Sequence, residues 1–410
     1  TYDPAALTYT FTLRSGVTFS DGSPLTAEDV TAALWRAKAS PRYGARLAKV
    51  SGLTAGDGTV TVTLSAPDTG LPALLDIPIV KAGSESGLVP VGTGPYVLTD
   101  GEDGACLTAR ADWWGGEGQP AERIALSAAG DRDAMLYQFS SHAVQLIPAD
   151  LVGTDPIPAT GNISYADADT AILHYVGFNT LREPFRDAAV RRALGLGLDR
   201  DTLVSAVLSG HGRGTQAPVN PVSPLYPEEA DVLYSYDSFA GAMEAAGLTA
   251  GQPRTVTLLV NQENSFKVAA AEHIAEALSD FDLQLQVEVL PWADYTAALA
   301  AGDFDLYYGE VKLPANWDLT ALVGTGGAVN YGGWADARTD QLLAAYASAS
   351  DRAGALAALC GYLAEQAPIL PVCFTASSVL YQTGVVEGLT PTATEPFYDL
   401  SSCRIHLRAS

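Results

Sequence analysis

The stretch LTYTFTLRSGVTFSDGSPLTAEDV, residues 7–30, holds the clearest local signals in this sequence. Apolar side chains alternate with threonines from Leu7 to Leu13, which is the period-two pattern of a half-buried strand. The Asp-Gly pair at 21–22 then indicates a turn. Thr26 stands three residues before Asp29, which is close to a capping box with Asp in place of Glu, and apolar residues at helical spacing follow. The stretch therefore predicts a strand, a turn and a helix.

Two further regions show regular patterns of different kinds. Residues 59–64 again alternate between threonine and apolar side chains, so a small β-rich unit is expected over residues 1–88. Between 250 and 312 the pattern predicts strands and helices in alternation, at 255–260, 266–278, 283–289, 292–301 and 304–308. That order predicts parallel strands covered by helices. Two architectures in one chain require at least two lobes.

The composition limits the classes of function. The chain has 410 residues, more than the roughly 250–300 over which a single core usually grows, so two or three domains are expected. Its 47 acidic and 23 basic side chains give a net charge of −24, which disfavours binding to nucleic acid or to an anionic lipid surface. No apolar run approaches the roughly 18 residues of a membrane span. The sequence starts at Thr1 with polar residues, so the targeting segment of an exported protein is expected outside it.

A series of short motifs follows the opening stretch. They are VGTGPYVL at 91–98, ADWWGG at 111–116, YVGFNT at 175–180, PFRDAAVRRAL at 184–194, LDRDTLV at 198–204, DFDLYYGE at 303–310, NYGGWADARTDQLL at 330–343 and APILPVCF at 367–374. Together with residues 7–30, this series resembles the family 5 extracellular solute-binding proteins, which serve oligopeptide, dipeptide and nickel importers. The resemblance covers nearly the whole chain, and the ordered series is more specific than any single motif.

The resemblance implies an α/β fold of the periplasmic-binding-protein type, with two lobes and an extra small β-rich domain. On this chain the small domain would be residues 1–88, the main lobe 89–173 with 386–410, and the second lobe 174–385. The chain would cross between the lobes near 175–179 and 384–388, and the lobes would close on a ligand by a hinge. Family members carry additional residues before the opening signature. The main lobe is therefore expected to lack its N-terminal part and to show a strand edge near Val97 and Ile405.

The same resemblance implies a function in transport. The protein would be the extracytoplasmic substrate-binding component of an ABC transporter, in the periplasm or as a cell-surface lipoprotein. It would bind peptides or peptide-like solutes as a monomer and deliver them to permease subunits in the membrane. The alternatives are a peptide- or pheromone-sensing protein and a binder of a non-peptide anionic or amidic solute. No nucleophile–base pair points to an enzyme, no cofactor is expected, and five scattered histidines do not indicate a metal site.

The candidate ligand-binding residues follow the last predicted strand of the parallel unit. Ligands of parallel sheets collect beyond the carboxyl ends of the strands. That position carries an acid, a base, an amide, an indole and a second acid, which are Glu310, Lys312, Asn316, Trp317 and Asp318. The resemblance adds Asn330, Tyr331 and the segment 211–220, with Arg213, to the same cleft. An ordinary polar surface loop is the alternative for these residues.

One feature of the family's peptide binders has no match here. They commonly hold the ligand's α-ammonium group with an aspartate shortly after the strand that matches DFDLYYGE. Val311 or Lys312 stands at that place in this sequence. Glu310 or Asp318 would have to substitute, whereas Lys312 would oppose an ammonium group and could pair with a ligand carboxylate instead.

The four cysteines show no CxxC or metal-ligand spacing. On the domain division implied by the resemblance, Cys106 and Cys403 both fall in the main lobe and are the favoured disulfide pair. Cys360 and Cys373 would lie on a helix and on the next strand, and the sequence leaves open whether they meet.

Overall fold

The computed structural model describes residues 1–87, 89–101, 104–116, 118–152 and 161–406. Its strands are β1 Tyr2–Asp3, β2 Thr8–Thr12, β3 Val50–Gly56, β4 Thr59–Leu64, β5 Tyr96–Gly101, β6 Gly104–Ala109, β7 Arg123–Ala125, β8 Leu146–Ala149, β9 Ile163–Phe178, β10 Gly212–Gly214, β11 Arg254–Asn261, β12 Leu283–Leu290, β13 Leu306–Lys312, β14 Ile369–Gln382, β15 Val386–Glu387 and β16 Arg404–Ile405. Its α-helices are α1 Ala27–Ala39, α2 Arg132–Ser140, α3 Ala188–Leu196, α4 Arg200–Leu208, α5 Tyr236–Ala245, α6 Ser265–Leu278, α7 Trp292–Ala301, α8 Thr320–Val323, α9 Ala337–Ser348 and α10 Arg352–Gln366. Among these residues no helix combines the length and the apolar composition that a membrane crossing requires.

The opening stretch forms part of a small antiparallel sheet with the strand order β1-β2-β4-β3. Helix α1 packs against β3 and β4, and buries Leu34 and Ala37 over the inward face of the sheet. The predicted capping box is confirmed. The Thr26 hydroxyl accepts a hydrogen bond from the Asp29 N–H at 3.3 Å, and the Asp29 carboxylate accepts one from the Thr26 N–H at 3.0 Å. The Asp29 carboxylate therefore caps the start of this helix in the way that Glu does in the usual capping box.

A seven-stranded mixed sheet forms the largest part of the molecule. Its order is β10-β14-β9-β13-β11-β12, with β8 paired to β14. Strand β11 runs parallel to both β12 and β13, so the parallel arrangement predicted for 250–312 is confirmed. Helices α3 to α6 bury one face of this sheet, and helices α7 to α10 bury the other. Helices on both faces of a sheet with parallel strands make this an α/β fold.

Two long strands extend beyond the other strands of this sheet. β9 and β14 pair antiparallel along nearly their whole length, with register shifts between Pro371 and Cys373 and between Phe374 and Ala376. Neighbouring β13 pairs only with residues 172–178 of β9, and β8 pairs only with residues 378–381 of β14. The far halves of both strands pack in separate apolar clusters with α2, β8 and β15. The lobe boundaries expected at 173/174 and 385/386 fall inside β9 and at the start of β15, and this division stays a prediction.

Two small sheets complete the described residues. Strands β5, β6 and β7 form one antiparallel sheet, and β15 pairs with β16 in the other. Strand β5, which contains Val97, and strand β16, which contains Ile405, each pair with one strand within the described parts of the chain. Both are edge strands, at the two places where a strand edge was expected.

The favoured disulfide between Cys106 and Cys403 is wrong, because all four cysteines are free thiols. Cys106 lies on β6, where its sulfur accepts a hydrogen bond from Arg123 Nε at 3.1 Å. The Cys403 thiol instead donates to the Gly388 carbonyl at 3.4 Å. Cys360 and Cys373 do not meet either, because they are buried on opposite faces of the large sheet.

Candidate functional site

Strand β13 is longer at its carboxyl end than the sequence pattern predicted. The prediction ended the strand at residue 308, whereas the structure continues it to Lys312. The reason is the length of the neighbouring strand, since residues 309–312 of β13 pair with residues 172–175 of β9. Glu310 and Lys312 are therefore strand residues two positions apart, and their side chains project from the same face of the sheet.

Glu310 is already paired within the protein. Its carboxylate lies 2.7 Å from Lys267 Nζ, which comes from the first turn of α6. It also lies 3.8 Å from Nε2 of His174, the residue directly opposite on β9. His174 is 1% exposed, and burial, together with the charge of Lys267, lowers its pKa to about 3. The imidazole is neutral at physiological pH, so Lys267 is the counter-ion of Glu310.

Lys312 has a different environment at the end of the same strand. It is exposed and sits opposite Ile172 of β9. It makes no ion pair or side-chain hydrogen bond with any residue in the described part of the chain. Lys312 is therefore a cation at the carboxyl edge of the parallel strands that has no partner among the residues the structure describes.

Asn316 and Asp318 contact the small domain. The Asn316 amide, 4% exposed, donates to both carboxylate oxygens of Asp68 at 3.3 and 3.4 Å. Lys49 Nζ lies 3.5 Å from Asp318 and 3.5 Å from Asp68, and so bridges the two carboxylates. Burial acts to raise the pKa of Asp318, but hydrogen bonds from Thr320 and the charge of Lys49 outweigh it and lower that pKa. Both polar side chains of this loop are thus occupied by protein partners.

Further hydrogen bonds extend this contact. The Thr69 N–H donates to the Ala347 carbonyl at 2.9 Å, and Arg352 donates to the Thr69 hydroxyl at 3.1 Å. Arg352 also donates to the Asn316 carbonyl at 2.7 Å. We call the contact of Lys49 and residues 68–70 with Asn316, Asp318 and Arg352 the domain joint. It fixes the loop after β13 to the small domain.

Trp317 and Asn330 hold loops in place. The Trp317 indole N–H donates to the Ser223 hydroxyl at 3.0 Å, and its ring packs edge-on against Phe374. The Asn330 amide donates to the carbonyls of Gly324 and Trp334 at 2.9 and 2.7 Å, and accepts the Trp334 N–H at 3.1 Å. These bonds use every polar atom of the Asn330 side chain, which leaves it only weakly available to a ligand.

Tyr331 stands at the end of an aromatic row. Its ring is 38% exposed and lies 6.0 Å from the Tyr307 ring in an edge-to-face contact. Tyr307 in turn contacts Tyr175, and their hydroxyls lie 3.3 Å apart. Tyr331 therefore presents a supported aromatic surface to solvent, which suits contact with an apolar group of a ligand.

Arg213 belongs to a group of charges that the sequence analysis did not identify. It lies on β10 and donates to the Asp169 carboxylate at 2.6 and 3.4 Å, which raises the pKa of Arg213. His211 Nδ1 lies 3.0 Å from the carboxylate of Asp167, which precedes Asp169 by two residues on β9. Both acids stand where β9 passes beyond β13. The only sequence signal was the Asp-x-Asp spacing on an alternating strand, which places two carboxylates on one face.

The strand register separates the predicted residues into two sets. Arg213, Phe374, Leu173 and Val311 form one row across four strands, on the face where Trp317 packs. Glu310 aligns with His174 and Cys373 on the opposite face. The predicted residues therefore do not form a single cluster, and their role in binding stays a prediction. In the described ranges no group of three or more His, Cys, Asp or Glu side chains is placed to hold a metal ion.

Comparison with known proteins identifies one matching family profile and several relatives whose names describe solute binding. The profile described as "Bacterial extracellular solute-binding proteins, family 5 Middle" matches residues 1–327. The oligopeptide-binding protein AppA of Bacillus subtilis is 25% identical over an aligned length of 351 residues, and the alignment covers 77% of this chain and 62% of AppA. A dipeptide-binding protein of Pseudomonas aeruginosa is 24% identical over an aligned length of 335 residues, and the alignment covers 76% of this chain and 62% of that protein. The matches thus span less than two thirds of the length of these relatives.

A solved structure shows the same fold. The structure described as a nickel ABC transporter from Bacillus halodurans superposes with a TM-score of 0.81 at 21% identity, and covers 95% of this chain and 86% of that chain. At this identity the likeness establishes the two-lobed fold alone. The profile match covers more than half of the chain and establishes the family. This chain is a member of the bacterial extracellular solute-binding proteins, family 5.

Proposed function

We propose that this protein is the extracytoplasmic substrate-binding component of an ABC importer. It binds a peptide or peptide-like solute between its two lobes, as a monomer, and delivers it to permease subunits without a catalytic step. The observation that carries the proposal is the pair of long strands β9 and β14, which run from one set of apolar clusters to another. Two strands that connect separate cores form a hinge on which a cleft can close.

The charges at the cleft edge narrow the chemistry of the ligand. Glu310 and Asp318 were the candidates for holding an α-ammonium group, but Glu310 is already paired with Lys267, and Asp318 shares Lys49 with Asp68. Lys312 has no such partner in the described residues and is free to pair with an anion. We infer that Lys312 binds a ligand carboxylate, which for a peptide is the C-terminus. Besides Glu310 and Lys312, the exposed residues of the predicted set are Tyr331 and Arg213, and Arg213 is paired with Asp169. Asn316, Trp317 and Asn330 position the loops.

The same observation favours a second class of ligand. A small anionic or amidic solute that is not a peptide would use Lys312 in the same way. Native mass spectrometry of the freshly purified protein separates these classes, because a co-purified solute is identified by its mass. Incubation with mixed peptides, followed by a search for cleavage products, tests the absence of catalysis.

Calorimetry tests the role of Lys312 directly. Di- to pentapeptides with a free C-terminus are titrated into wild type, Lys312→Gln and the control Lys81→Gln, a half-exposed lysine of the small domain. Loss of a charge-assisted hydrogen bond of about 1.5–3 kcal/mol should weaken binding to Lys312→Gln by at least about tenfold. Amidated peptides should bind wild type as weakly as free peptides bind Lys312→Gln. Equal binding of free and amidated peptides to both proteins would place the anchor elsewhere.

A further inference from the structure

A half-open cavity lies in the predicted second lobe. It is a cavity of about 330 Å³ between α3, α5, α10, the start of β14 and the loop that carries Gln216 and Val232. None of the eight side chains named as ligand-binding candidates lines it, although Gln216 and Pro218 of the segment 211–220 do. Its wall is mainly apolar and combines the small side chains of Ala189, Ala193, Ala242 and Ala246 with the larger ones of Leu363 and Ile369. A volume near 300 Å³ is at the lower end of the range for small-molecule sites.

The wall also contains a buried thiol. Cys360 faces the cavity from α10, and burial raises its pKa to about 12. No hydrogen bond to its sulfur is present in the described residues. The environment on this side of the cavity is therefore apolar enough to suit a hydrocarbon chain.

Arg200 places an oriented positive charge in the cavity wall. Its Nε donates to the Pro371 carbonyl at 2.8 Å, and its Nη1 donates to the carbonyls of Gly195 and Leu198 at 3.2 Å each. Its Nη2 makes no hydrogen bond, and the guanidinium forms no ion pair, with any residue that the structure describes. The guanidinium is thus fixed by three backbone contacts and keeps one nitrogen with two unused donors at the cavity wall.

An anion with an apolar body satisfies both features. The Arg200 side chain is partly buried, and Asp201 and Asp231 act on its charge without forming an ion pair with it. A ligand carboxylate at the unused nitrogen would form a charge-assisted hydrogen bond. The second arginine of the wall, Arg192, donates to the Glu365 carbonyl at 2.7 Å and adds positive charge at the rim. Within the described residues, neither arginine of this wall forms an ion pair with a carboxylate.

We propose that this cavity is a second binding site, and that it takes a small carboxylate with an unbranched aliphatic tail. The carboxylate pairs with Nη2 of Arg200, and the tail lies against the alanines of α3 and α5. The site is independent of the cleft ligand, so it holds or fails separately from the proposed transport function.

Calorimetry with octanoate, octylamine and octanol tests the proposal. Octanoate should bind wild type with one molecule per chain, and octylamine and octanol should bind at least tenfold more weakly. Ala246→Leu fills the cavity from α5 and should weaken octanoate at least tenfold, whereas the exposed Ala344→Leu on α9 should have no effect. Peptide binding should be unchanged in Ala246→Leu, which also shows that this variant is folded.

Three results would overturn the proposal. They are no octanoate binding to wild type, equal binding of octylamine, or unchanged octanoate binding to a folded Ala246→Leu variant. Lys312→Gln provides the last control, since loss of octanoate binding in that variant would assign the fatty carboxylate to the cleft. Modification of Cys360 by a small apolar thiol reagent gives a second readout, because bound octanoate should slow it at least threefold.

Discussion

The substitution Asp68→Asn tests the domain joint with almost no change of shape. Asp68 is 5% exposed and accepts hydrogen bonds from the Asn316 amide on both oxygens and from the Gly70 N–H at 3.0 Å. An asparagine at this position has one acceptor oxygen and one donor nitrogen. In either orientation of its amide, one N–H group of Gly70 or Asn316 faces another N–H group. A buried donor is therefore left without an acceptor.

The size of the effect follows from these contacts. An unsatisfied buried donor costs about 1–3 kcal/mol. The lost attraction to Lys49 adds little, because Lys49 is 34% exposed and such pairs contribute about 0–1 kcal/mol. We expect the joint to be destabilised by about 2 kcal/mol, which corresponds to roughly a thirtyfold larger open population.

Hydrogen–deuterium exchange of the Thr69 amide measures this opening. That N–H is bonded to the Ala347 carbonyl across the joint and is protected only while the joint is closed. Its exchange should become about thirtyfold faster in Asp68→Asn. The control Asp76→Asn removes an exposed acid paired with Arg46 and should change exchange less than about twofold. If the Thr69 amide exchanges at the wild-type rate in Asp68→Asn, the joint is not held by Asp68.

Three further predictions concern stability and reactivity. Burial lowers the pKa of His174 to about 3, so the contribution of the neutral imidazole to stability is complete above about pH 6.5. This contribution is lost as pH falls towards 3, by up to about 1.4 kcal/mol of unfolding free energy per pH unit. In urea unfolding, the fall in unfolding free energy from pH 7 to pH 5 should be smaller in His174→Phe than in wild type. Thr26→Ala removes the α1 cap and should lower the free energy of unfolding by about 1 kcal/mol in the same assay, whereas the exposed Thr249→Ala should not. Burial raises the pKa of Cys360 and Cys373 to about 12, so both thiols should resist a polar thiol reagent at pH 8 until urea unfolds the chain. Rapid labelling of either cysteine in the folded protein would contradict their burial.

The elements that local pattern determines were predicted from the sequence. The alternation in β2 and β4, the cap of α1 and the β-α-β-α-β order from β11 to β13 all depend on residues close together in the chain. Local side-chain periodicity and cap chemistry are sufficient for such elements. The end of β13 was missed because its last residues stay extended only through pairing with β9, more than a hundred residues earlier.

The site was harder to predict because its contacts are long-range. Sequence position correctly placed Glu310 and Lys312 at the carboxyl edge of the parallel strands. It could not show that Lys267 pairs with one of them and leaves the other without a partner. Asn316 and Asp68 are 248 positions apart, and nothing in either local sequence indicates that they meet. Polar residues on a loop can face a ligand or another domain, and only the tertiary structure separates the two cases.

The small domain is attached on two sides, and this has a consequence for the proposed hinge motion. On one side Arg110, 8% exposed, donates to the carbonyls of Thr18 and Phe19 at 3.1 and 3.0 Å, and so joins the domain to the sheet of β5, β6 and β7. On the other side the domain joint ties it to the loop after β13. Rotation about β9 and β14 moves these two attachments apart, so one of them has to open. The Arg110 contacts are buried, because the Arg110 side chain is 2% exposed, whereas the joint includes a half-exposed lysine and spans the rotating parts. The joint is therefore the contact that opens, and Asp68→Asn should favour the open form of the cleft.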